Sequence, residues 1–297
     1  MCVLIIGKSG QVAQSLAATQ PSWINDATYW SRETLDLSDP ASIRPAVEAS
    51  GARVIINAAA YTQVDRAEEE EPRAMRINSD SVGELAKSAK ALSVPLVHIS
   101  TDYVFDGALD RPYDETCEPH PLGVYGRSKL AGELAARAAH PKGVIILRTA
   151  WVFSPYGQNF MKTMLRLSET RDKVDVVDDQ IGNPTSALMI ARAIWKILKV
   201  WRGSPTTGLG NVYHLTGSNS ASWYDFACAI FRKLAVHNGT HVKVNNITSA
   251  LYPTPAKRPR NSRLETTRFS QEFDFEPPSW EASLDEVFTM IWAAQQP

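Results

Sequence analysis

Short, almost continuously apolar runs alternate with longer segments of helical periodicity through the first half of this chain. Strands covered by helices on both faces have this composition, and their alternation with helices is typical of repeated β-α-β units. The pattern therefore predicts an α/β fold, a Rossmann-type parallel sheet with helices on both faces. The predicted strands are residues 3–6, 28–30, 53–57, 96–100 and 144–148, and the predicted helices are 11–19, 40–49, 67–91 and 125–139.

The alternation becomes irregular in the second half of the chain, where Pro and Gly are frequent. We therefore expect a dinucleotide-binding domain over residues 1–150 and a smaller, mainly substrate-binding C-terminal domain over 151–297. The long amphipathic segment 186–201 is expected to pack back onto the first domain. Segments 222–235 and 284–294 are predicted to be helices of the second domain.

The composition favours small-molecule chemistry over binding to a polyanion. The formal net charge is −1, so we expect neither a nucleic-acid partner nor a membrane partner. Cys2, Cys117 and Cys228 are scattered and form no CxxC pair, which indicates a reducing compartment and no metal site. Because the N-terminal residues resemble neither a leader nor a membrane span, the expected location is the cytoplasm.

A glycine-containing loop follows the first predicted strand and opens the first predicted helix. It contains Gly7, Gly10, Gln11 and Val12. In this context a dinucleotide pyrophosphate can approach the backbone and the amides at the helix N-terminus. The loop predicts a dinucleotide site, and the alternative is a turn that binds no ligand.

The end of the second predicted strand carries no carboxylate for a ribose 2'-hydroxyl. Ser31 and Arg32 lie there instead and could hold a 2'-phosphate, so the predicted cofactor is NADPH, with NADH possible. Asp36 and Leu37 could flank the adenine, and the small residues Ala58, Ala59 and Ala60 could form a smooth wall beside the dinucleotide. The alternatives are a solvated surface Arg and ordinary packing.

The strongest chemical signal is the pair Tyr125 and Lys129. Four-residue spacing places both on one face of a predicted helix, where an ammonium favours ionisation of a phenol whose ordinary pKa is ~10. Lys129 could also hold the nicotinamide ribose. Thr101 follows the fourth predicted strand, at the edge where parallel sheets bind ligands, and could hydrogen-bond a substrate carbonyl. The alternative is a purely structural Tyr/Lys pair.

These residues resemble the extended short-chain dehydrogenase/reductase family, and within it the dTDP-4-dehydrorhamnose reductases. The resemblance covers nearly the whole chain. The motifs that carry it are GKSGQV at 7–12, NAAAYTQVDRAE at 57–68, STDYVFDG at 100–107, YGRSKLAGE at 125–133, RTAW at 148–151, DDQIGNPT at 178–185 and RPRNSRL at 258–264.

The resemblance implies NADPH-dependent reduction of the C4 ketone of dTDP-4-dehydro-L-rhamnose to dTDP-L-rhamnose. Tyr125 would supply the proton, Thr101 would orient the carbonyl, and Lys129 would tune Tyr125 and bind the cofactor ribose. Tyr61 and Ser100 would join the cofactor site. The implied substrate site consists of Val64, Thr101, Asp102, Tyr103, Tyr125 and Trp151 around the sugar, with Asn159, Gln180, Arg258 and Asn261 near the nucleotide or its diphosphate.

Two other functions remain to be weighed against reduction. Related sugar-nucleotide dehydratases have a carboxylate where this chain has Tyr103, so elimination of water lacks its base here. The regulatory beta subunit of methionine adenosyltransferase also resembles this group and retains the Tyr/Lys pair as a binding protein. Its pattern lacks the NAAAYT stretch, the Trp after the fifth strand and the DQxGxPT loop, all of which this chain contains.

The resemblance also bears on assembly. Some reductases of this kind share Mg²⁺ across a dimer through carboxylates, but Ser15, Leu188 and Met189 occupy the corresponding stretches here. Uncharged side chains are poor ligands for this ion. We therefore expect a monomer and no metal-bridged dimer.

Overall fold

Six parallel strands form the central sheet of this protein, whose computed structural model describes residues 2–294. Their spatial order is β2-β1-β3-β4-β5-β10, so the chain runs outward from β1 in both directions. The six strands are β1 Cys2–Ile6, β2 Asp26–Trp30, β3 Val54–Asn57, β4 Leu96–Thr101, β5 Val144–Thr149 and β10 Val212–His214. The predicted parallel, Rossmann-type architecture is confirmed.

Helices cover both faces of the sheet because successive strand residues point to opposite faces and are apolar on both. Val3 and Ile5 lie in one core with α1 and α8, whereas Leu4 and Ile6 lie in another with α2 and α5. The helices are α1 Gln11–Ala18, α2 Pro40–Glu48, α3 Val64–Ala67, α4 Glu71–Met75, α5 Ser81–Leu92, α6 Val124–Ala139, α7 Phe160–Ser168, α8 Ala187–Trp201, α9 Trp223–Asn238, α10 Thr267–Phe273 and α11 Trp280–Ala293.

The second half of the chain contributes to both parts of the molecule. Helix α8 packs against α1, and β10 extends the central sheet beyond β5. A separate core joins α7, α9 and α11. The short strands outside the central sheet are β6 Val152–Phe153, β7 Lys173–Val177, β8 Ile181–Gly182, β9 Thr185–Ser186, β11 Ala221–Ser222 and β12 Lys243–Ile247. No helix within residues 2–294 is long and apolar enough to cross a bilayer.

The sequence pattern did not predict β10. The strand has three residues, and Gly208, Gly210 and Asn211 precede it, so it shows neither the length nor the β-branched run that marked the other strands. Its place in the sheet comes from tertiary pairing, in which Val212 lies opposite Ile146 of β5.

The single helix predicted over 67–91 is wrong. The chain forms α3, α4 and α5, and a π-helical turn at Arg76–Asp80 joins the last two. Pro72 lacks a backbone N–H and is favoured in the first turn of a helix, where α4 places it, so a new helix starts there. The π turn brings Asn78 inward, where its amide accepts from the backbone N–H of Tyr61 at 2.8 Å and donates to the Tyr61 carbonyl at 3.0 Å.

A buried ion pair connects α6 to β5. Arg148 and Glu133 are 4% and 2% exposed, and their side chains meet at 2.6 Å. The Ser100 hydroxyl on β4 also donates to Glu133, at 2.5 Å. These contacts fix the rotation of α6 about its axis. They therefore also fix the direction of the other side chains on the face of α6 that carries Glu133.

We expect Glu133→Gln to lower the free energy of unfolding by about 3–5 kcal/mol, because the Arg148 charge would stay buried without a counter-charge. Glu286→Gln is the control, since it breaks the solvent-exposed pair with Arg192 and should cost less than about 1 kcal/mol. Urea unfolding of both variants measures the difference. Equal losses of unfolding free energy in the two variants would show that the buried pair contributes no more to stability than the exposed pair.

Candidate active site

A cleft of about 760 Å³ lies at the carboxyl ends of the central strands. Open parallel sheets bind ligands at this edge, where the connections diverge on either side of β1. Of the residues predicted to bind cofactor or substrate, the cleft is lined by Gly7, Gly10, Gln11, Val12, Ser31, Arg32, Asp36, Leu37, Ala58, Ala59, Ala60, Val64, Ser100, Thr101, Asp102, Tyr103, Tyr125, Lys129 and Trp151.

The loop before α1 requires glycine at Gly7. Its φ is +108°, and a Cβ there would lie 3.0 Å from the backbone N of Ala59. The Gly7 amide donates to the Trp30 carbonyl at 3.0 Å, so the loop is held between the ends of β2 and β3. Gly10 is the N-cap of α1, whose first turn contains no acidic residue. The helix therefore presents free amides and the positive end of its dipole to the cleft.

Gln11 connects this loop to the second half of the chain. Its Oε1 accepts from Ser154 Oγ at 2.8 Å and from Asn159 Nδ2 at 2.9 Å. Asn159 also caps α7 by accepting from the backbone N–H of Lys162 at 3.1 Å. Asn159 therefore lies behind Gln11, outside the cleft lining where a substrate contact was predicted.

Exposed charges surround the far end of the cleft, beyond β2. Arg32 donates to Asp36 at 3.2 Å, and Ser31 donates to the carboxylate of Glu33. Arg32 is 64% exposed, so its pair with Asp36 is solvated and easily exchanged for another anion. The sequence interpretation overlooked Glu33, which lies three residues past the strand end and turns back onto Ser31.

Tyr125 and Thr101 lie together on the floor of the cleft. Burial raises the pKa of Tyr125 to about 12, although hydrogen bonding to Thr101 opposes this rise. The net shift is therefore opposite to the lowered pKa expected for Tyr125, because burial dominates. The phenol is protonated at neutral pH and is suited to donate a proton.

Helix α6 closely approaches the short turn after β4 at Gly126, beside Tyr125. A Cβ at Gly126 would lie 2.1 Å from the Tyr103 carbonyl oxygen, so only glycine fits. The approach sets the Tyr103 and Tyr125 rings edge to face, with their centroids 5.6 Å apart. The sequence interpretation gave Gly126 no role, since the close contact depends on a residue 23 positions earlier in the chain.

Lys129 is almost completely buried. Its Nζ donates to the Ile99 carbonyl at 2.6 Å and lies 3.4 Å from His98 Nε2. Burial lowers the pKa of Lys129 to about 8, and Glu133 acts in the opposite direction. The ammonium and neutral amine forms of Lys129 are therefore equally populated at a pH slightly above neutral.

Asp102 is buried beside Thr101 and Tyr125. Its Oδ1 accepts from the Thr101 hydroxyl at 3.0 Å, and its Oδ2 lies near the Ser262 hydroxyl but makes no hydrogen bond of good geometry within residues 2–294. Burial raises the pKa of Asp102 to about 7. A ligand hydroxyl that donated to Oδ2 would remove this uncompensated desolvation.

A model of the family described as the RmlD substrate binding domain matches residues 1–292. The chain belongs to this family. It is 42% identical to a dTDP-4-dehydrorhamnose reductase of Sinorhizobium fredii, over 99% of this chain and 97% of that protein. It is 39% identical to the dTDP-4-dehydrorhamnose reductase of Escherichia coli, over 97% of this chain and 99% of that protein. The crystal structure of dTDP-4-dehydrorhamnose reductase from Bacillus anthracis in complex with NADP matches with a TM-score of 0.90 and 33% identity, over 98% of this chain and 100% of that chain.

The predicted membership is thus confirmed, yet several residues that the family resemblance assigned to ligands do not line the cleft. Asn261 donates to the Leu109 and Arg111 carbonyls at 2.6 and 2.8 Å, so its amide serves the loop structure. Arg258 pairs with Asp65 at 2.7 Å. Two further residues absent from the lining, Tyr61 and Gln180, are buried.

Trp151 forms one wall of the cleft in a strained conformation. Its φ is +46°, which costs a non-glycine residue about 1–3 kcal/mol. Its indole stacks on Trp223 with ring centroids 3.5 Å apart, and a Cβ at Gly182 would lie 2.6 Å from it. The sequence interpretation missed Trp223 because no local pattern connects the start of α9 to the end of β5.

Several residues that line the cleft were also missed. Trp30, Thr149 and Ala150 end or follow strands, so the strand-edge rule that identified Thr101 could have found them. Gly157 and Gln158 lie in an irregular loop, and the sequence contains no signal that places this loop on the cleft.

We expect Gly182→Ala to push the Trp151 indole off Trp223 and to lower stability by about 1–3 kcal/mol, since the new methyl group has no room. Circular dichroism of the coupled indoles, together with thermal unfolding, measures both effects. Gly203→Ala is the control, because its nearest neighbouring atom is 3.9 Å away. An unchanged indole signal in Gly182→Ala would contradict the packing described.

Proposed function

We propose that this protein reduces the C4 ketone of dTDP-4-dehydro-L-rhamnose with hydride from NADPH, and that Tyr125 supplies the proton. The observation that carries the proposal is the convergence of Thr101, Tyr125 and Lys129 in a single cleft next to the glycine loop. Family membership supports the same reaction, since two relatives bear the reductase name over nearly their full length.

The protonation state of Tyr125 suits this direction of reaction. Hydride addition to a ketone creates negative charge on oxygen, and a nearby acid must neutralise it. The pKa of Tyr125, raised to about 12 by burial, keeps the phenol protonated until the alkoxide forms. Thr101 then positions the carbonyl, provided that its hydroxyl turns from Asp102 to the substrate oxygen.

The cofactor would lie along the glycine loop. The free amides at the start of α1 would hold the pyrophosphate, and the Gly7 turn and Ala58–Ala60 would leave room for the dinucleotide. Lys129 would hold the nicotinamide ribose. When bound, NADPH supplies the hydride. The solved reductase from Bacillus anthracis in complex with NADP supports this choice of cofactor.

The deoxysugar would occupy the side of the cleft formed by Val64, Asp102, Tyr103 and Trp151. Indole and phenol rings suit the apolar face of a sugar, and the unpartnered Asp102 Oδ2 suits one of its hydroxyl groups. Arg258 could reach the diphosphate only by leaving Asp65, with which it now pairs.

Tyr125→Phe should bind NADPH normally and lose about 100-fold or more in kcat, because the ring stays and the proton donor goes. Absorbance of NADPH during reduction of dTDP-4-dehydro-L-rhamnose measures the rate, and product analysis should show dTDP-L-rhamnose. Tyr213→Phe, a buried tyrosine outside the cleft, is the control and should keep its activity. A Tyr125→Phe rate close to that of the unaltered protein would remove Tyr125 from the mechanism.

Arg32→Ala should weaken NADPH binding roughly tenfold or more and leave NADH binding nearly unchanged, since only the 2'-phosphate requires the guanidinium. Titration with each cofactor measures the ratio. Arg44→Ala is a matched control, because Arg44 has the same four-residue spacing and 3.2 Å distance to a carboxylate, Glu48, outside the cleft. Equal losses for both cofactors would exclude Arg32 from the phosphate site.

The alternative of a regulatory subunit makes a different prediction for the same sample. It expects no NADPH oxidation with the sugar substrate and tight binding to a methionine adenosyltransferase catalytic subunit. The cleft argues against this role, because its lining includes Trp151 and Ala58–Ala60 of the NAAAYT stretch, features that the regulatory subunit's pattern lacks.

A further inference from the structure

A buried histidine lies against the catalytic lysine and has no part in the mechanism described above. His98 is on β4, fully buried, with Nε2 3.4 Å from Lys129 Nζ. Its other ring nitrogen, Nδ1, is 3.1 Å from Asn57 Nδ2. Asn57 is also buried, so both contacts are shielded from water.

The hydrogen-bond pattern decides which ring nitrogen of His98 carries the proton. The backbone N–H of Ala59 donates to Asn57 Oδ1 at 3.2 Å, which directs the amide NH₂ of Asn57 toward His98. An NH₂ group can only donate, so Nδ1 must accept. The proton of the neutral ring is therefore on Nε2, the nitrogen that faces Lys129.

The ring also stays neutral. Burial lowers the pKa of His98 well below its ordinary value, and the charge of Lys129 lowers it further. The Nε2–H thus points its positive end at the lysine nitrogen. It opposes an ammonium at that position, whereas a neutral amine can accept its hydrogen bond.

We propose that His98 is a positioning residue of the active site. Its ring is neutral and carries its proton on Nε2, and this N–H favours release of the proton of Lys129. The proposal rests on the proposed function, because it assigns Lys129 a place in catalysis. It extends the site below the cleft floor, from Lys129 through His98 and Asn57 to the backbone of Ala59 in the cofactor wall.

Other charged groups near Lys129 act in known directions. Glu133, on the same helix, favours the ammonium, and Arg148 on β5 pairs with Glu133 at 2.6 Å. Tyr125 lies one helical turn earlier and is neutral because burial raises its pKa. His98 is the group on β4 whose N–H opposes the lysine charge.

The first experiment reads the proton directly. Nitrogen-15 NMR of the uniformly labelled, full-length protein should show His98 with a protonated Nε2 and an unprotonated Nδ1 at neutral pH. The Nε2 resonance should then move as Lys129 titrates near pH 8. The proposal would be overturned by a proton on Nδ1 or by an imidazolium ring. It would also be overturned if the Nε2 chemical shift stayed constant while Lys129 titrates. This measurement needs no substrate, so it holds even if the proposed reaction fails.

The second experiment uses His98→Asn. Asparagine can place its carbonyl where Nδ1 accepts from Asn57 but has no N–H that reaches Lys129. We expect the loss of activity at high pH to shift upward by about one pH unit, a tenfold change in the proton affinity of Lys129. A merely structural role would lower the rate equally at every pH.

His214→Asn is the matched control, since His214 is also fully buried on a strand of the same sheet and bonds the Tyr113 carbonyl. Its pH profile should equal that of the unaltered protein. The same profile in His98→Asn would overturn the proposal. If His98→Asn does not fold, the NMR result on the unaltered protein decides. Absence of turnover in the unaltered protein would instead reject the proposed function.

Discussion

The contact between Glu133 and Arg148 determines how the rest of the cleft is arranged. Tyr125, Lys129 and Glu133 follow one another at four-residue intervals on one face of α6, so fixing the last of them orients the other two. Neither member of the ion pair lines the cleft, and both are almost fully buried. Packing alone would tolerate small rotations of the helix, whereas a bidentate guanidinium contact requires one orientation.

Burial controls the chemistry of this helix face more than the neighbouring charges do. The pKa of Tyr125 rises and that of Lys129 falls, and desolvation is the principal cause in both cases. The two shifts bring a neutral acid and a lysine of reduced proton affinity into one water-poor space. A sequence shows that a phenol and an ammonium can share a face, but only the fold shows how little water reaches them.

The sequence predicted the elements whose signal is local. Buried strands, the glycine loop and the four-residue spacing of Tyr125 and Lys129 each depend on neighbouring residues, and the structure contains all three features at those positions. It could not predict β10, Gly126 or Trp223, since each owes its place to a partner distant in the chain. The resemblance to a family assigned Asn261 to the substrate, although the structure uses its amide to hold a loop.

The π turn at Arg76–Asp80 has a consequence for how this fold tolerates changes in chain length. A regular helix turns about 100° per residue, and a π turn absorbs one extra residue without breaking the rod. The segment before the turn can therefore pack against the buried Tyr61 while α5 faces the sheet. Deleting one residue between 76 and 80 would restore regular winding and would rotate one of these faces away from its partner. The π turn thus changes the rotation of α5 relative to α4, so that one continuous helical rod can pack against two different surfaces.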